Sequence, residues 1–503
     1  GNFLKSSIKT LVVLSRNFSL STAGLYLGPS LFFLLLLLPA PEGLSPAAWK
    51  TAAVALFMAT WWITEAIPIA ATSLLPIVLL PLLGITGIRE STTPYANPLI
   101  FLFMGGFIIA IAMQSWNLHR RIALNIISVI GIKPTSIIIG FIIASAFLSM
   151  WVSNTATALM MLPIALSVLQ FSAAKSSGDE SVFNFEIALM LAIAYACNIG
   201  GIATLIGTPP NALLAGFMLE NYEIEISFVR WMAVGLPIVL LMLPLMYFVL
   251  TKIAFPVRIT ELPGGQEVIT RELSQMGAIT VPEKRVAIVF TLTALLWIFR
   301  PLLAHLLPGL SDAGIAIGAA IFLFILPSGS EDDGSLLEWS DLKELPWGIL
   351  ILFGGGLSLA SAISSSGLAG WIGESVSGLQ FLHIFLLLLA VILIVIFLTE
   401  ITRNTATAAA FLPILASTAI GMGQNPMLFI MPAAIAASCA FMLPVATPPN
   451  AIIYGSDRVT IPQMAKAGLM LNMIISVILS VAAYTLFAYV FGIEIGVLPD
   501  WIQ

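Results

Sequence analysis

Long apolar stretches make up most of the chain, and polar residues interrupt them at only a few places. An apolar run of about 20 residues is long enough to cross a lipid bilayer as a helix. The pattern predicts about eleven such spans, at positions 22–40, 47–66, 68–84, 98–116, 185–216, 228–254, 284–306, 312–327, 346–366, 427–454 and 464–492. We therefore expect an all-α polytopic membrane protein embedded in the lipid bilayer.

Two further apolar stretches, 135–169 and 381–418, are too long for one span and carry polar residues at their centres. Non-helical backbone is tolerated at this depth of a membrane only where it lines a cavity. Each stretch is therefore predicted to form a re-entrant hairpin of two half-helices, with a polar tip near the middle of the membrane.

The polar centres of the two hairpins are copies of one motif. Residues 153–157 read Ser-Asn-Thr-Ala-Thr, and residues 403–407, which lie 250 positions later, read Arg-Asn-Thr-Ala-Thr. A Thr-Pro-Pro-Asn turn follows each copy, at 208–211 and 447–450. Such residues also hold membrane helices together by hydrogen bonds. Two copies at matching places favour a binding site between two repeated halves.

The repeats also predict how the chain is divided. An odd number of spans in each half requires the second half to be inverted relative to the first. A polar stretch rich in Pro and Gly separates the halves and is typical of a linker. We expect an N-terminal segment with the first span at 1–46, a first inverted repeat at 47–254, a cytoplasmic linker at 255–283, a second inverted repeat at 284–492 and a C-terminal tail at 493–503.

Composition and charge agree with a membrane protein. Only 9% of the residues are charged, against about 25% in soluble domains. The net charge of −5 gives no indication of a nucleic-acid partner, and two cysteines do not support a disulfide framework. When the N-terminus is placed in the cytoplasm, 15 of the 20 Lys and Arg residues fall on the cytoplasmic side, as the positive-inside rule requires. We expect a multi-pass protein of a bacterial inner membrane.

The hairpin tips offer ligands for two kinds of ion. Unpaired N–H groups and the positive end of the dipole favour an anion at the start of each half-helix. Carbonyl oxygens beside them suit a hard cation such as Na⁺. Apart from Arg403 and Glu400 the tips are neutral, which argues against acid–base catalysis. Two hairpins that meet at mid-membrane would also close a channel. We predict a transporter, without catalytic residues and without an organic cofactor.

At these motifs, and at Trp-Trp-Ile-Thr-Glu-Ala-Ile-Pro in residues 61–68, the chain resembles the divalent anion:sodium symporter family, the INDY-type dicarboxylate transporters. The resemblance extends from that segment to the final span. It implies a homodimer in which a mobile transport domain carries substrate past a static scaffold by an elevator-type movement.

The resemblance also implies the residues of the binding sites. The substrate carboxylates would contact Ser153, Asn154, Thr155, Asn404, Thr405, Thr447 and Pro448. The first sodium would be bound by Ser149, Ser153, Asn154 and Gly207. The second sodium would be bound by Thr399, Thr402, Asn404 and Ala446.

The substrates implied by the resemblance are di- and tricarboxylates of the succinate, malate, fumarate, 2-oxoglutarate and citrate class, coupled to sodium. Sulfate is the alternative substrate. Sulfate carriers of the family tend to lose the motif threonine, whereas this chain keeps Thr155 and Thr405. We therefore favour carboxylates.

Arg403 departs from the family pattern, which has a serine at this position. Its side chain either turns away, toward water or a carboxylate such as Glu400, or enters the substrate site. In the second case its fixed charge would replace the second sodium and bind a substrate carboxylate in bidentate geometry, and the protein would be a dicarboxylate exchanger. We include Arg403 among the predicted substrate contacts. The intact first sodium site favours sodium coupling.

Overall fold

The computed structural model describes residues 2–131, 133–173 and 180–502, and helices dominate it. Lys175, a basic residue expected on the cytoplasmic side, lies outside this range. The helices before the linker are α1 Asn2–Leu37, α2 Pro46–Thr64, α3 Ile69–Thr72, α4 Leu75–Leu82, α5 Ile88–Thr92, α6 Pro98–Ser115, α7 Leu118–Ile130, α8 Pro134–Ser149, α9 Asn154–Ala173, α10 Glu180–Gly200, α11 Pro209–Tyr222 and α12 Phe228–Phe248. The helices that follow are α13 Gly265–Met276, α14 Val281–Leu303, α15 Asp312–Ile325, α16 Trp347–Ser365, α17 Leu368–Val376, α18 Ile384–Thr399, α19 Asn404–Gly421, α20 Met427–Ala437, α21 Pro448–Tyr454, α22 Ile461–Ala482 and α23 Ala488–Phe491.

Local sequence explains where several of these helices begin. The side chains of Ser45, Thr280 and Thr460 accept hydrogen bonds from the backbone N–H groups of Ala48, Glu283 and Gln463. A proline follows within two residues of each cap, where its missing N–H costs no helical hydrogen bond. Each cap pairs a backbone donor of the first turn, which has no partner within its own helix.

Eight helices of the described chain are long and apolar enough to cross a membrane: Leu20–Leu37, Ile88–Ser115, Glu180–Ala203, Phe228–Ala254, Val281–Leu303, Trp347–Ser365, Asn404–Gly421 and Ile461–Phe491. Shorter apolar helices include Pro134–Ser149 and Ile384–Thr399. The prediction of an all-α membrane protein is confirmed. The expected number of about eleven spans stays a prediction.

Two stretches that were expected to be single spans, 185–216 and 427–454, are interrupted. The first leaves the α-helix after Gly200, passes through a 3-10 turn at Gly201–Ala203 and resumes at Pro209. The second stops at Ala437 and resumes at Pro448. Proline cannot donate the helical hydrogen bond, so each Pro-Pro pair prevents a continuous helix. The prediction of single spans was wrong because it counted apolar residues and gave these pairs too little weight.

The two hairpin stretches each fold as two helices with a short break. Residues 150–153 separate α8 from α9, and residues 400–403 separate α18 from α19. The first hairpin lies directly against α10, whose residues from Ile187 to Gly200 are all buried. A Cβ at Gly200 would lie 2.3 Å from the carbonyl oxygen of Ala146. Only glycine allows this approach, which places the first tip beside the interruption that follows α10.

The two halves of the chain are interlocked. Helix α9 of the first hairpin packs against α21, which belongs to the second half. Helix α19 of the second hairpin packs against α11, which belongs to the first half. Each hairpin therefore lies against the interrupted helix of the other half, and the two breaks and the two tips come together inside the molecule.

Candidate functional site

The first tip is shaped by Ser153, the residue before α9. Its hydroxyl accepts a hydrogen bond from the N–H of Ala156 at 3.1 Å, and its carbonyl accepts one from the N–H of Thr157 at 3.0 Å. Asn154 and Thr155 then lie in the first turn of α9, and both are half-buried. The amide of Asn154 faces Gly201, where a Cβ would lie 3.0 Å from Asn154 Oδ1. The first tip therefore contacts the interruption after α10.

The second tip makes the same backbone hydrogen bond as the first, but the residue before its helix is Arg403 instead of a serine. The carbonyl of Arg403 accepts the N–H of Thr407 at 2.9 Å, while its side chain does not cap α19 within the described chain. The hydroxyls of Thr402 and Thr407 are 2.6 Å apart. Thr405 is buried and Asn404 is half-buried. The two threonine hydroxyls bond to each other and to the carbonyls of Leu398 and Arg403.

The two Thr-Pro-Pro-Asn turns organise the interrupted helices. Asn211 donates its amide N–H groups to the carbonyls of Gly201, Ile202 and Thr204, at 3.1, 3.3 and 2.9 Å. Asn450 donates to the carbonyls of Ala440 and Leu443 at 2.9 and 3.1 Å. Unwound backbone inside a membrane needs such partners because water is absent. The two asparagines therefore hold each break in shape.

Hydrogen bonds also join the two breaks to each other. Asn198, near the end of α10, donates to Thr447 Oγ1 and to Asn450 Oδ1, both at 3.1 Å. The hydroxyls of Thr208 and Ser438 are 3.2 Å apart. Each threonine of a Thr-Pro-Pro-Asn turn is thus held by the other half of the chain. Pro448 begins α21 and is exposed.

Four oxygens at the tips are buried and make no hydrogen bond to another nitrogen or oxygen of the described residues. They are Ser149 Oγ, Asn154 Oδ1, Thr399 Oγ1 and Asn404 Oδ1. Ser149 and Thr399 lie 250 positions apart, as do Asn154 and Asn404. The thiol of Cys197 is the polar neighbour of Ser149. Buried polar atoms usually have a partner. The matched pairs therefore indicate two equivalent places where oxygen atoms could coordinate a cation.

Two of the other predicted sodium ligands, Gly207 and Ala446, belong to the two breaks. Gly207 approaches Gly201 so closely that a Cβ would lie 2.2 Å from the Gly201 carbonyl oxygen. Ala446 is buried, and its N–H donates to the carbonyl of Leu443 at 3.2 Å. Hydroxyl, amide and carbonyl oxygens are ligands for a hard cation. The described residues hold no group of three or more His, Cys, Asp or Glu side chains suited to a transition metal. The donor set fits Na⁺.

Arg403 forms an ion pair with Glu65 through its side chain. Its Nε is 3.1 Å from Glu65 Oε1, and the two side chains are 63% and 48% exposed. Glu65 ends α2 in a left-handed conformation, with φ of 49°. The partner carboxylate is therefore Glu65, and the suggestion of Glu400 was wrong. Glu400 is buried and accepts hydrogen bonds from the second interrupted helix instead.

Sequence reasoning missed three polar side chains that hold the site together: Asn198, Glu400 as a ligand of backbone N–H groups, and Asn472. Asn198 and Asn472 each stand alone in an apolar run. A lone amide within a membrane helix is a signal for a hydrogen-bonded contact. That signal was present, but it does not identify the partner.

Interrupted membrane helices and polar hairpin tips that meet inside the bundle define a secondary transporter. Residues 22–493 match the family model described as the sodium:sulfate symporter transmembrane region, and the chain belongs to this family of transporters. This confirms the family suggested by the motifs, and the protein is a transporter rather than an enzyme.

Proteins and structures similar to this chain agree. The chain is 47% identical to the sodium-dependent dicarboxylate transporter SdcS of Staphylococcus saprophyticus over 94% of this chain and 92% of that protein. It is also 47% identical to SdcS of Staphylococcus aureus, with the same coverage. The crystal structure of the Alcanivorax borkumensis YdaH transporter is similar with a TM-score of 0.57 at 13% identity, covering 87% of this chain and 98% of that one. Neisseria gonorrhoeae MtrF gives a TM-score of 0.53 at 13% identity, covering 90% and 96%. At this identity the two structures support the fold alone.

Proposed function

We propose that this protein transports dicarboxylates, or tricarboxylates such as citrate, across the membrane together with sodium ions. The observation that carries the proposal is the pair of matched buried oxygens at each tip, Ser149 with Asn154 and Thr399 with Asn404. Each pair lies beside the start of a helix whose unpaired N–H groups attract an anion. Relatives at 47% identity are named sodium-dependent dicarboxylate transporters, which supports both the substrate and the ion.

The substrate would lie between the two tips. One carboxylate would contact the start of α9 and the other the start of α19, so that a molecule with two carboxylates bridges the halves. The proposed contacts are Ser153, Asn154, Thr155, Asn404, Thr405, Thr447 and Pro448. In this arrangement each copy of the motif would hold one carboxylate.

Sodium would be bound beside each tip, in sites built from neutral oxygens. The proposed ligands of the first site are Ser149, Ser153, Asn154 and Gly207. Those of the second site are Thr399, Thr402, Asn404 and Ala446. Because no ligand in either set is charged, the cations would balance the charge of the substrate. Binding of one then favours binding of the other, which is the basis of coupled transport.

Two alternatives receive less support. Exchange without the second sodium requires the guanidinium of Arg403 at the substrate, but its Nε pairs with Glu65 at 3.1 Å. Sulfate transport is disfavoured by Thr155 and Thr405, which sulfate carriers of the family tend to lose. We therefore place Arg403 outside the substrate contacts of the described conformation.

We further propose that the two halves are inverted repeats, that the hairpins move together in an elevator-type mechanism, and that the protein works as a homodimer. Matching helices support the repeat, since α8 and α18 begin 250 positions apart, as do α9 and α19. The interlocked packing of α9 with α21 and of α11 with α19 supports a single moving body. We place the N-terminus in the cytoplasm of a bacterium, with the protein in its inner membrane.

Uptake of labelled succinate by proteoliposomes tests the proposed function. An inward Na⁺ gradient should drive accumulation, and replacing Na⁺ with K⁺ should remove it. Preloading with unlabelled succinate separates coupling from exchange. Uptake that ignores the Na⁺ gradient but requires internal succinate would contradict sodium coupling and favour the exchanger.

A further inference from the structure

Glu400 is a buried acid in the tip of the second hairpin, and neither the substrate contacts nor the sodium ligands include it. Only 3% of the residue is exposed. Its Oε1 accepts the N–H groups of Phe441 and Met442 at 3.0 and 3.1 Å. Its Oε2 accepts those of Met442 and Leu443 at 3.2 and 3.1 Å. The carboxylate therefore binds three consecutive backbone N–H groups of the second interrupted helix.

Asn472 of α22 completes the arrangement by donating its amide to Glu400 Oε1 at 2.8 Å. Every partner of Glu400 in the described structure is a donor, as a carboxylate requires because it can only accept. Such charge-assisted hydrogen bonds are about twice as strong as neutral ones. Glu400 is thus a strong attachment point for backbone that has left the helix.

The same stretch of backbone is fixed through its carbonyls as well. Asn450 donates to the carbonyls of Ala440 and Leu443, and the hydroxyl of Tyr195 donates to that of Phe441 at 2.7 Å. Residues 440–443 are therefore held through their N–H groups by Glu400 and through their carbonyls by the neighbouring helices. Their path depends on both sets of contacts.

This stretch leads directly into the second sodium site. The N–H of Ala446 donates to the carbonyl of Leu443, and Leu443 is held by Glu400. At the other end of the contact, Glu400 lies next to Thr399, whose hydroxyl makes no hydrogen bond within the described residues. Glu400 thus connects Thr399, its neighbour in the chain, with the backbone that leads to Ala446.

In the first half of the chain, the corresponding contact between the hairpin tip and the interrupted helix involves no charged side chain. Met150 occupies the position that corresponds to Glu400, 250 residues earlier. Its carbonyl accepts one hydrogen bond, from Thr204 Oγ1 at 2.5 Å. The tip residue contacts the interrupted helix in both halves, but only the second contact depends on a carboxylate.

We propose that Glu400 is a positioning residue for the second sodium site. It sets the path of residues 440–443 and thereby the place of the Ala446 carbonyl relative to Thr399 and Asn404. This inference rests on the proposed function, because it assigns a role within the sodium sites. Its loss should weaken sodium binding at the second site and leave the first site and the substrate contacts in place.

The decisive variant is Glu400→Gln, which keeps the size of the side chain and turns one acceptor into a donor that faces the N–H of Leu443. We measure the Na⁺ concentration at half-maximal thermal stabilisation of the purified protein in detergent, in the absence of substrate. We also measure the Na⁺ dependence of succinate uptake and the KM for succinate at saturating Na⁺. The Na⁺ midpoint should rise about tenfold, the scale of one lost charge-assisted hydrogen bond. The KM should change much less. Glu374→Gln, which alters an exposed acid on α17, is the matched control.

A merely structural role predicts a lower melting temperature without Na⁺ and an unchanged Na⁺ midpoint. That result would overturn the inference. If Glu400→Gln does not fold, Glu400→Asp keeps both acceptors on a shorter stem and should show a smaller rise in the Na⁺ midpoint. A folded Glu400→Asp protein with the native midpoint would then overturn it. Native protein that ignores Na⁺ in both assays would instead contradict the proposed function itself.

Discussion

The side-chain amides of Asn154 and Asn404 each contain both a hydrogen-bond acceptor and hydrogen-bond donors. An amide can offer its oxygen to a cation and its N–H groups to a carboxylate, and the oxygens of both side chains make no hydrogen bond within the described residues. Both lie in the first helical turn after a break. In the proposed function the same side chain would contact sodium and substrate together, which would couple the binding of the two.

Asn154→Ala and Asn404→Ala should each reduce Na⁺-driven uptake about a hundredfold, since losing a contact to each of two charged ligands removes about 3 kcal/mol. The purified variants should still elute as single species. Asn125→Ala, at an exposed asparagine of α7, serves as the control. Uptake by either tip variant at the level of the control would exclude the tips as the site.

Arg403→Ser should change Na⁺-driven uptake by less than about fivefold, because exposed ion pairs contribute about 0.2–1 kcal/mol. Glu65→Gln should have an effect of similar size, and the double variant should add little to either. Initial rates at several Na⁺ concentrations provide the measurement. A large loss, or a new dependence on Na⁺ in Arg403→Ser, would return Arg403 to the substrate site.

Sequence patterns located the residues of the tips but not their partners. Asn154 and Asn404 were predictable because the same polar motif occurs twice in apolar surroundings. The pairing of Arg403 with Glu65 joins residues 338 positions apart, and no local pattern encodes it. Glu400 looked like a partner for Arg403 because it is close in sequence. In the structure Glu400 instead accepts backbone N–H groups of the second interrupted helix, which are free to donate only because that helix is unwound there.

At the scale of elements, the breaks in the two interrupted helices form the surroundings of the hairpin tips. The carbonyls of the breaks are buried and make no helical hydrogen bond, so they need other partners inside the molecule, and Asn211 and Asn450 supply them. Each Pro-Pro pair marks where the second segment begins, because it lies at the first two positions of α11 or α21. The asparagines hold the open segments in shape through their hydrogen bonds. The positions of the two hairpins followed from the pattern of apolar and polar residues. The hydrogen-bond partners of the breaks did not, because they come from side chains that the local pattern does not single out.

Asn211→Ala should lower the free energy of unfolding by about 1–3 kcal/mol, because it leaves buried carbonyls without a donor. Asn450→Ala should lose more transport for a similar loss of stability, since it also releases the contact with Asn198. Thermal unfolding in detergent and uptake in proteoliposomes measure the two effects. Asn221→Ala, which removes one bond within its own helix, should change neither. Native stability of Asn211→Ala would show that the break holds its shape without the amide.

At the scale of the whole molecule, α2 lies outside the interlocked centre and packs against it. The centre consists of both hairpins and both interrupted helices, held by contacts between α9 and α21 and between α11 and α19. Helix α2 touches this centre through α19 and through the exposed pair of Glu65 and Arg403. The offset of 250 in the sequence predicted two related halves, but it could not predict that each hairpin would pack on the opposite half.

The proposed elevator-type movement would make the contact between Glu65 and Arg403 temporary. In a Glu65→Cys/Arg403→Cys variant, a short bifunctional thiol reagent should therefore stop uptake, and a cleavable reagent should allow reduction to restore it. Either single variant treated in the same way should keep transporting, because Cys197 and Cys439 are buried and offer no accessible second thiol. Since the ion pair itself contributes little, the loss would come from fixing the centre to α2 and not from removing the charges. Full uptake by a completely cross-linked protein would show that the second tip and α2 do not move apart, and a different mechanism would have to bring the substrate across.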